Sequence, residues 1–398
     1  MKIAILTSGI LPVPATKGGA VENLIGFYLE YNNQHHLHDI TVYSVDDEEA
    51  MHHPALQSEV NHYKFIDVSS LGAKIRKKFR HSLRRDEYYH YTVEYYLDQA
   101  LKQITARNYD MVIIENRPGY GLKIPQKYPA KIVYHLHNDF LNAEVKQAQE
   151  IYNRADLIIT ISEYIRQRVL TIDNQDKKCK VVLNGIDLHA FSKSSLETVS
   201  RQDYGLKAND FVIVFTGRMI PEKGIHQLLK AFQELKSHPS IKLLMIGGSF
   251  YGNEVEDTPF TSELRTQFAQ LQDRIIFTGF KPYQEIPSLL SLADIAVLPS
   301  VWEEPLGLTC MEAMAMGLPV ITTNKGGIPE TVTQDCGILL NVDDTLPHQL
   351  TNAILNLYNH PEKRKAMGEA AVKHAQQFSK EQYAKNFFDA CNYSETVP

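Results

Sequence analysis

The stretch FVIVFTGRMIPEKGIHQLLKAFQELKSHPSIKLLMIGG, residues 211–248, decides the fold. It opens with a short apolar run, passes through a loop into a helical pattern over 226–238, and closes on a second apolar run. Runs that are short, β-branched and uninterrupted by polar residues are typical of strands buried on both faces of a parallel sheet. The stretch therefore predicts one strand–helix–strand unit of a doubly wound α/β domain.

The same pattern repeats along the chain in two series. The first contains apolar runs at 2–8, 39–44, 111–115, 131–137, 157–162 and 180–184, and the second at 211–217, 242–248, 275–279, 295–300 and 320–323. The 398 residues also exceed the roughly 250–300 at which a single core stops growing. We therefore expect two domains, with ligands bound outside the carboxyl ends of the strands and the two domains facing each other across a cleft.

The domain boundaries are expected where this periodicity is lost, near 188–208. We predict an N-terminal domain over 1–190 and a C-terminal domain over 205–377. The amphipathic helical pattern near the C-terminus predicts that residues 378–398 pack back on the first domain.

Composition excludes several classes of protein. Hydrophobic residues make up 43% and charged residues 22%, as in an ordinary globular enzyme, and the net charge of −6 argues against a nucleic-acid binder. The four cysteines lie far apart without a CxxC pair, which favours reduced thiols and a cytosolic protein without zinc. The first apolar run ends after Leu6, which favours a buried strand over a signal peptide, and no run approaches the length of a membrane span.

Two loops that follow strands carry residues suited to phosphate. Gly18 and Gly19 precede a helical pattern that opens near Ala20, where backbone N–H groups can approach an anion; a tight turn without a ligand explains the pair equally well. Arg218 and Lys223 follow the strand 211–217 and precede a helix, a position that suits a diphosphate. The alternative is that both are solvated surface cations.

The stretch EEPLGLTCMEAMAMG, residues 303–317, places two glutamates around a helix start. Pro305 and Gly307 put Glu304 on the loop side, whereas Glu312 lies inside the helix among apolar residues. A glutamate in such surroundings is buried or faces a ligand site, and an ionised carboxylate accepts hydrogen bonds from sugar or ribose hydroxyls. Otherwise Glu304 caps the helix and Glu312 is a surface residue.

Polar residues also end the strand 131–137. His135 and His137 are two apart and therefore share one side of the strand, and Asn138 and Asp139 follow directly. These four could form a metal or acid–base site, but the sequence identifies no third metal ligand. We expect one histidine to hydrogen-bond a ligand and the other to be structural.

The run GAKIRKKFRHSLRR, residues 72–85, holds seven Lys or Arg residues with apolar residues at four-residue spacing. A basic amphipathic helix of this kind can lie on an anionic membrane. The alternatives are an ordinary solvated helix or an acceptor-binding loop without lipid contact.

Together these motifs resemble the family-four retaining glycosyltransferases, which have the GT-B architecture of two facing Rossmann-like domains. The resemblance covers nearly the whole chain. The segments that carry it are GGAVE (18–22), LNGID (183–187), FTGRMIPEKG (215–224), IIFTGF (275–280) and PSVWEEPLGLTCMEAMAMGLPVITT (299–323). The last of these segments holds the family's two glutamates, here Glu304 and Glu312, with seven residues between them.

The resemblance implies roles for these residues. Arg218 and Lys223 would bind the donor's diphosphate with the Gly18–Gly19 loop, Glu304 would contact the transferred sugar, and Glu312 the ribose. Backbone of Leu306, Gly307 and Leu308 would hold the sugar and phosphates, and backbone near Gly279 and Phe280 would meet the base. His137 matches the family's cleft histidine, although its role and that of His135 are open to exchange, with Asn138 and Asp139 beside them. Leu306 stands where the family usually has Phe, which bears on the sugar rather than on the activity.

The sequence therefore predicts a retaining, hexosyl-transferring glycosyltransferase. Its donor would be a nucleotide sugar, most simply a UDP-sugar, and its acceptor a surface glycan or cell-envelope component, possibly lipid-linked. Cofactor and metal are expected to be absent because no Asp-x-Asp motif occurs and two cations can take the metal's place. A cytoplasmic enzyme, peripheral at the membrane, fits these features. The competing interpretations are a sugar-nucleotide epimerase or a phosphorylase of the same fold, or a non-catalytic scaffold. A nicotinamide-dependent oxidoreductase is disfavoured because the sequence contains no GxGxxG motif.

Overall fold

A computed structural model describes residues 1–70, 72–75, 91–192, 199–248 and 258–392. It divides into two compact units, the N-terminal unit of residues 1–185 with 380–398, and the C-terminal unit of residues 186–379. Most of the basic run at 72–85 lies outside the described residues. None of the helices within the described ranges is long and apolar enough to cross a bilayer.

The N-terminal unit is built on a seven-stranded parallel sheet of order β3-β2-β1-β4-β5-β6-β7. The strands are β1 Lys2–Leu6, β2 Asp39–Val45, β3 Asn61–Ile66, β4 Met111–Glu115, β5 Lys131–Leu136, β6 Leu157–Thr160 and β7 Cys179–Val181. The α-helices are Ala20–His35, Tyr91–Thr105, Ala148–Arg154, Glu163–Leu170 and Lys380–Asn392. The central strands β1, β4 and β5 consist almost wholly of buried residues, which explains their uninterrupted apolar sequences.

The C-terminal unit is built on a six-stranded parallel sheet of order β10-β9-β8-β11-β12-β13. The strands are β8 Phe211–Thr216, β9 Ile241–Ile246, β10 Ile275–Gly279, β11 Ile295–Leu298, β12 Val320–Thr323 and β13 Gly337–Leu340. The α-helices are Ile225–Glu234, Pro259–Gln267, Ile286–Leu290, Leu308–Ala315, Ile328–Thr331, Leu346–Asn359 and Pro361–Ala375. The prediction of two doubly wound parallel-sheet domains is confirmed.

Each sheet contains one strand that the sequence pattern did not predict. These strands, β3 and β13, are the outermost strands of their sheets. Strand β3 reads NHYKFI, with an exposed or half-buried residue at four of its six positions, and β13 is a four-residue strand that is half-buried over its last three residues. The criterion of a continuous apolar run found the other two edge strands, β7 and β10, but it misses an edge strand whose sequence alternates with polar residues, as in β3, or is very short, as in β13.

The last helix, Lys380–Asn392, packs on the first helix, Ala20–His35, within the N-terminal unit. The rings of Tyr28 and Phe387 are stacked, with centroids 4.3 Å apart and planes 6° apart. Phe388 meets the same tyrosine edge-on at 6.1 Å. Aromatic pairs in these geometries add to the free energy of burying the rings, so the helix Lys380–Asn392 is fixed to the helix Ala20–His35.

Candidate functional site

In the C-terminal unit the predicted cation and glutamate come together at the carboxyl edge of the sheet. Lys223 lies in the loop after β8, and its Nζ is 2.5 Å from Oε1 of Glu304. Ser300, just beyond β11, donates its hydroxyl to the same oxygen at 2.7 Å. Strands β8 and β11 are neighbours where the strand order reverses, the position at which open α/β sheets bind ligands.

The helix Leu308–Ala315 begins without a side-chain cap. Gly307 occupies its N-cap with φ of 93° and, being a glycine, has no side chain that could accept a hydrogen bond from the first N–H groups. Uncapped N–H groups at a helix start favour an anion there. Pro305 lies in the loop before this helix, which begins only at Leu308, and the buried side chain of Leu306 anchors that loop.

A glycine at another loop keeps the glutamate loop in place. Gly326 has φ of 57°, and a side chain there would collide with the backbone of Glu304. The neighbouring Gly327 donates its N–H to the Glu304 carbonyl at 2.8 Å. The loop that carries Glu304 is therefore held by backbone contacts.

Glu312 is buried in the helix Leu308–Ala315, as its apolar neighbours predicted. Burial raises its pKa to about 8, and a hydrogen bond from Tyr283 offsets this effect only in part. The carboxyl group is therefore mostly protonated at pH 7. Burial also raises the pKa of the Cys310 thiol to about 12, and the charges of Glu304 and Glu312 both contribute, so Cys310 lies near both glutamates.

The remaining predicted donor residues of this unit lie at the same sheet edge. Arg218 is exposed in the loop after β8, and Gly279 ends β10 with φ of 70°. Its carbonyl accepts the N–H of Gly247 at 3.0 Å, and Phe280 follows half-buried. Leu308 is the first residue of its helix.

In the N-terminal unit the predicted glycine pair precedes a helix. Gly18 and Gly19 have φ of 75° and 103°, and Gly19 is the N-cap of the helix Ala20–His35, which has no side-chain cap. Glu22 lies below this turn so closely that a side chain at position 19 would collide with its carboxyl group. Burial is the main cause that raises the pKa of Glu22, to about 7.

The two predicted histidines both contact the carboxylate of Glu115, which was not among the predicted site residues. Glu115, the last residue of β4, is buried; its Oε2 lies 2.9 Å from Nε2 of His137 and 3.0 Å from Nδ1 of His135. Its Oε1 accepts the hydroxyl of Tyr28 at 2.8 Å. Burial disfavours the charge, but the histidines outweigh that effect and hold the pKa of Glu115 well below its usual range. Burial lowers the pKa of His137 to about 4, so its ring is neutral at pH 7.

The two residues after His137 lie half-buried at the same strand end. Asp139 accepts Nε of Arg168 at 2.7 Å and the side-chain amide of Asn142 at 2.8 Å. The backbone carbonyl of Asn138 accepts a hydrogen bond from the N–H of Phe140 at 2.9 Å. Asp139 is thus engaged in contacts within the protein, as a residue that shapes the loop would be.

The comparisons with known proteins match both units. The sequence profile of glycosyl transferases group 1 matches residues 197–374, and that of glycosyltransferase family 4 matches residues 34–190. A putative glycosyltransferase of Bacillus subtilis (strain 168), YtcC, is 30% identical over 388 residues, which cover 94% of this chain and 88% of the relative. The chain belongs to the family-four glycosyltransferases.

Two further proteins are similar over almost the full length of this glycosyltransferase. Spore coat protein SA of Bacillus subtilis (strain 168) is 28% identical, with 94% of this chain and 95% of the relative covered. The crystal structure of Anabaena HepE in complex with UDP and glucose is 21% identical, with 99% and 100% covered and a TM-score of 0.75. The structural similarity shows that the glycosyltransferase has the GT-B fold.

Within the described parts of the glycosyltransferase, Glu115, His135 and His137 are the side chains closest to a metal-ligand set, with their donor atoms within 4.8 Å of one another. A histidine that binds a metal normally donates its second ring N–H to an acceptor. Here the second nitrogens, Nε2 of His135 and Nδ1 of His137, are buried and have no partner among the described residues. The cluster fits hydrogen bonding to Glu115 better than it fits a metal.

Four residues of these sites were not predicted from the sequence: Tyr28, Glu115, Tyr283 and Ser300. Glu115 ends an apolar strand, and only the pairing of β4 with β5 sets it opposite His135. That pairing was available as a signal, because successive strands of a doubly wound fold are usually neighbours. The contacts of Tyr283 and Ser300 depend on loop conformations that no periodic pattern encodes.

Proposed function

We propose that this enzyme transfers a hexosyl group, with retention of anomeric configuration, from a nucleoside diphosphate sugar to a surface-glycan or cell-envelope acceptor. The observation that carries the proposal is the meeting of Lys223, Glu304 and Ser300 beside the uncapped helix start at Gly307. A cation, a hydroxyl-binding carboxylate and free backbone N–H groups at one sheet edge are the groups that a diphosphate and its sugar require.

In the proposed complex the ion pair between Lys223 and Glu304 exchanges partners. The ammonium group moves to the diphosphate, where Arg218 and the helix N-terminus also favour the charge of the leaving group. Glu304 is then released to accept a hydroxyl of the sugar, and Ser300 continues to hold its carboxylate. Glu312 takes the ribose, Gly279 and Phe280 the base, and the Gly18–Gly19 turn assists the phosphates.

Uracil is the proposed base of the donor. The support comes from Anabaena HepE, whose structure contains UDP and glucose and whose fold this chain shares. We further propose that the reaction needs no metal ion, because Lys223 and Arg218 supply positive charge where a metal would otherwise neutralise the diphosphate. Turnover unaffected by EDTA is the expected result; activity restored only by added Mg²⁺ or Mn²⁺ would contradict it.

The test of the donor site is a thermal-shift panel of UDP, GDP, ADP, dTDP and CMP in the presence of EDTA. A ligand at a hundred times its dissociation constant stabilises the folded protein by about 2.7 kcal/mol. We expect the largest shift with UDP, and its loss in Lys223→Ala and Arg218→Ala, together with a loss of transfer of at least about a hundredfold.

Lys242→Ala is the matched control. Lys242 belongs to the neighbouring strand β9, near its amino end, and donates to the carbonyl of Asp273 at 3.3 Å. This variant removes a lysine from the same sheet and should keep the full UDP shift. An unchanged UDP shift in Lys223→Ala would contradict the assignment of the diphosphate site.

We also propose that the enzyme binds anionic membrane surfaces through the basic run 72–85, which would bring it to a lipid-linked acceptor. Seven cations within fourteen residues, interleaved with apolar residues, support this proposal. The test is sedimentation with vesicles of phosphatidylglycerol and phosphatidylcholine, before and after replacing Arg76, Lys77 and Lys78 with Glu. Equal sedimentation of both proteins would remove the membrane proposal.

A further inference from the structure

The buried cluster of Tyr28, Glu115, His135 and His137 in the N-terminal unit leaves two ring nitrogens without a partner among the described residues, Nε2 of His135 and Nδ1 of His137, and the second belongs to the predicted cleft histidine. Nδ1 of His137 is buried and has no hydrogen-bond partner among the described residues, although the opposite nitrogen of the same ring is bound. A buried polar atom without a partner costs free energy, and in an enzyme it marks a position that a ligand can satisfy.

The contacts of Glu115 decide which nitrogen of His137 carries the proton. A carboxylate is an acceptor only, so each neighbour that contacts it must donate. Tyr28 donates to Oε1, while His137 donates from Nε2 to Oε2. A neutral imidazole has a single proton, so a ring that donates from Nε2 presents a bare lone pair at Nδ1.

The main chain of His137 is held by the residue that follows Glu115. Asn116, directly after Glu115, accepts the N–H of His137 through its side-chain oxygen at 3.1 Å and donates its own N–H to the His135 carbonyl at 2.8 Å. Glu115 and Asn116 thus hold both the ring and the main chain of His137. The burial that lowers the pKa of His137 keeps the ring in its neutral form at pH 7.

We propose that Glu115 is a positioning residue that locks His137 as the Nε2–H tautomer, so that His137 Nδ1 accepts a hydrogen bond from a sugar hydroxyl during transfer. This inference rests on the proposed function for its ligand, a hydroxyl of the donor sugar or of the acceptor. The tautomer itself depends only on contacts within the N-terminal unit.

The first test needs no substrate. In protein labelled with ¹⁵N-histidine, two-bond ¹H–¹⁵N spectra at pH 7 distinguish a protonated ring nitrogen from a bare one, and His137→Gln assigns the signals. We expect His137 to be protonated at Nε2 and bare at Nδ1. A proton on Nδ1, or on both nitrogens, overturns the proposal whatever the enzyme's substrate proves to be.

The second test replaces the carboxylate that holds the tautomer of His137. In Glu115→Gln the amide oxygen best replaces Oε1, which accepts from Tyr28, so the amide N–H group faces Nε2 of His137 and the proton must move to Nδ1. We expect the tautomer to flip and kcat/KM for transfer to fall about 10- to 100-fold, the loss of one buried hydrogen bond. Tyr28→Phe is the control, because it removes the third hydrogen bond to Glu115 and leaves both histidine contacts intact.

The kinetic arms separate the two sources of the hydroxyl. If UDP-glucose binds Glu115→Gln more weakly than wild type while UDP binds both equally, the hydroxyl belongs to the donor sugar; if only the KM for the acceptor rises, it belongs to the acceptor. Combining Glu115→Gln with His137→Ala should lower activity no further than His137→Ala alone. Full activity despite a flipped tautomer overturns the proposal, as does one equivalent of bound metal that is lost in Glu115→Gln.

Discussion

Two glutamates, one in each unit, are both buried and are held in opposite states of charge. Glu115 of the N-terminal unit accepts hydrogen bonds from Tyr28, His135 and His137, and its pKa lies well below the usual value. For Glu312 of the C-terminal unit, Tyr283 is the one described residue that lowers the pKa, and burial raises this pKa to about 8.

The difference shows that the charges and hydrogen bonds of neighbouring groups, and not burial alone, set the charge of a buried carboxyl group. Desolvation is the largest single effect at both residues and favours the neutral acid at both. At Glu115 the imidazoles of His135 and His137 outweigh the desolvation effect, whereas at Glu312 the phenol of Tyr283 does not. The N-terminal unit therefore contains a permanently charged buried group, and the C-terminal unit one that titrates near neutral pH.

The largest effect is expected from removing each carboxyl group in turn. Glu115→Leu leaves three buried donors without their acceptor and should lower the free energy of unfolding by about 4 kcal/mol at pH 7. Glu312→Leu removes a mostly neutral group with one partner and should cost no more than about 1 kcal/mol. Urea unfolding followed by circular dichroism measures both changes.

The fluorescence of Trp302, the single tryptophan of the chain, reports separately on the C-terminal unit. Similar losses of stability in the two leucine variants would contradict the contrast between the glutamates. If Glu115→Leu lowered the stability seen by Trp302 fluorescence but not that seen by circular dichroism, the destabilised region would be the C-terminal unit, which does not contain Glu115.

The sequence predicted the burial of Glu312 but not the cluster around Glu115, and the reason is physical. Glu312 is surrounded in sequence by apolar residues of its own helix, so local periodicity reveals its burial. The partners of Glu115 come from a helix and a neighbouring strand that are 20 or more residues away. Such contacts follow from the order of strands in the sheet, which local patterns do not encode.

The same distinction explains the rest of the fold. The sequence predicted the interior strands of both sheets, and the edge strands β7 and β10, because each contains an apolar run. The other two edge strands, β3 and β13, are partly exposed and were missed. In the C-terminal site, the positions of Lys223 and Glu304 at one sheet edge were predictable, whereas their ion pair depends on the conformations of two loops.

The second prediction uses the pH dependence of stability. Because the pKa of Glu312 is about 8 in the folded state and about 4.3 in an unfolded chain, its stabilising contribution is complete below pH 4.3 and is lost as the pH rises towards 8. Between pH 6 and 9 the wild type should lose about 2 to 3 kcal/mol relative to Glu312→Gln.

Thermal unfolding at half-unit pH intervals measures this difference, with Glu369→Gln as control. Glu369 is exposed on the helix Pro361–Ala375, so its replacement should leave the pH profile unchanged. Parallel curves for wild type and Glu312→Gln between pH 6 and 9 would show that Glu312 is ionised throughout. The contrast with Glu115 would then be lost.

The smallest effects are expected from the two tyrosines that donate to these glutamates. Tyr28→Phe removes one of three donors, so it should cost about 1 kcal/mol at pH 7, and Glu115 should stay charged because both imidazoles remain. Tyr283→Phe removes the contact that lowers the pKa of Glu312, so the midpoint of its pH-dependent stability should move above 8. Thermal unfolding across the same pH range measures both. If Tyr28→Phe instead made stability fall with rising pH near neutrality, Glu115 would have become a neutral acid, and two histidines would not be enough to keep a buried carboxylate charged.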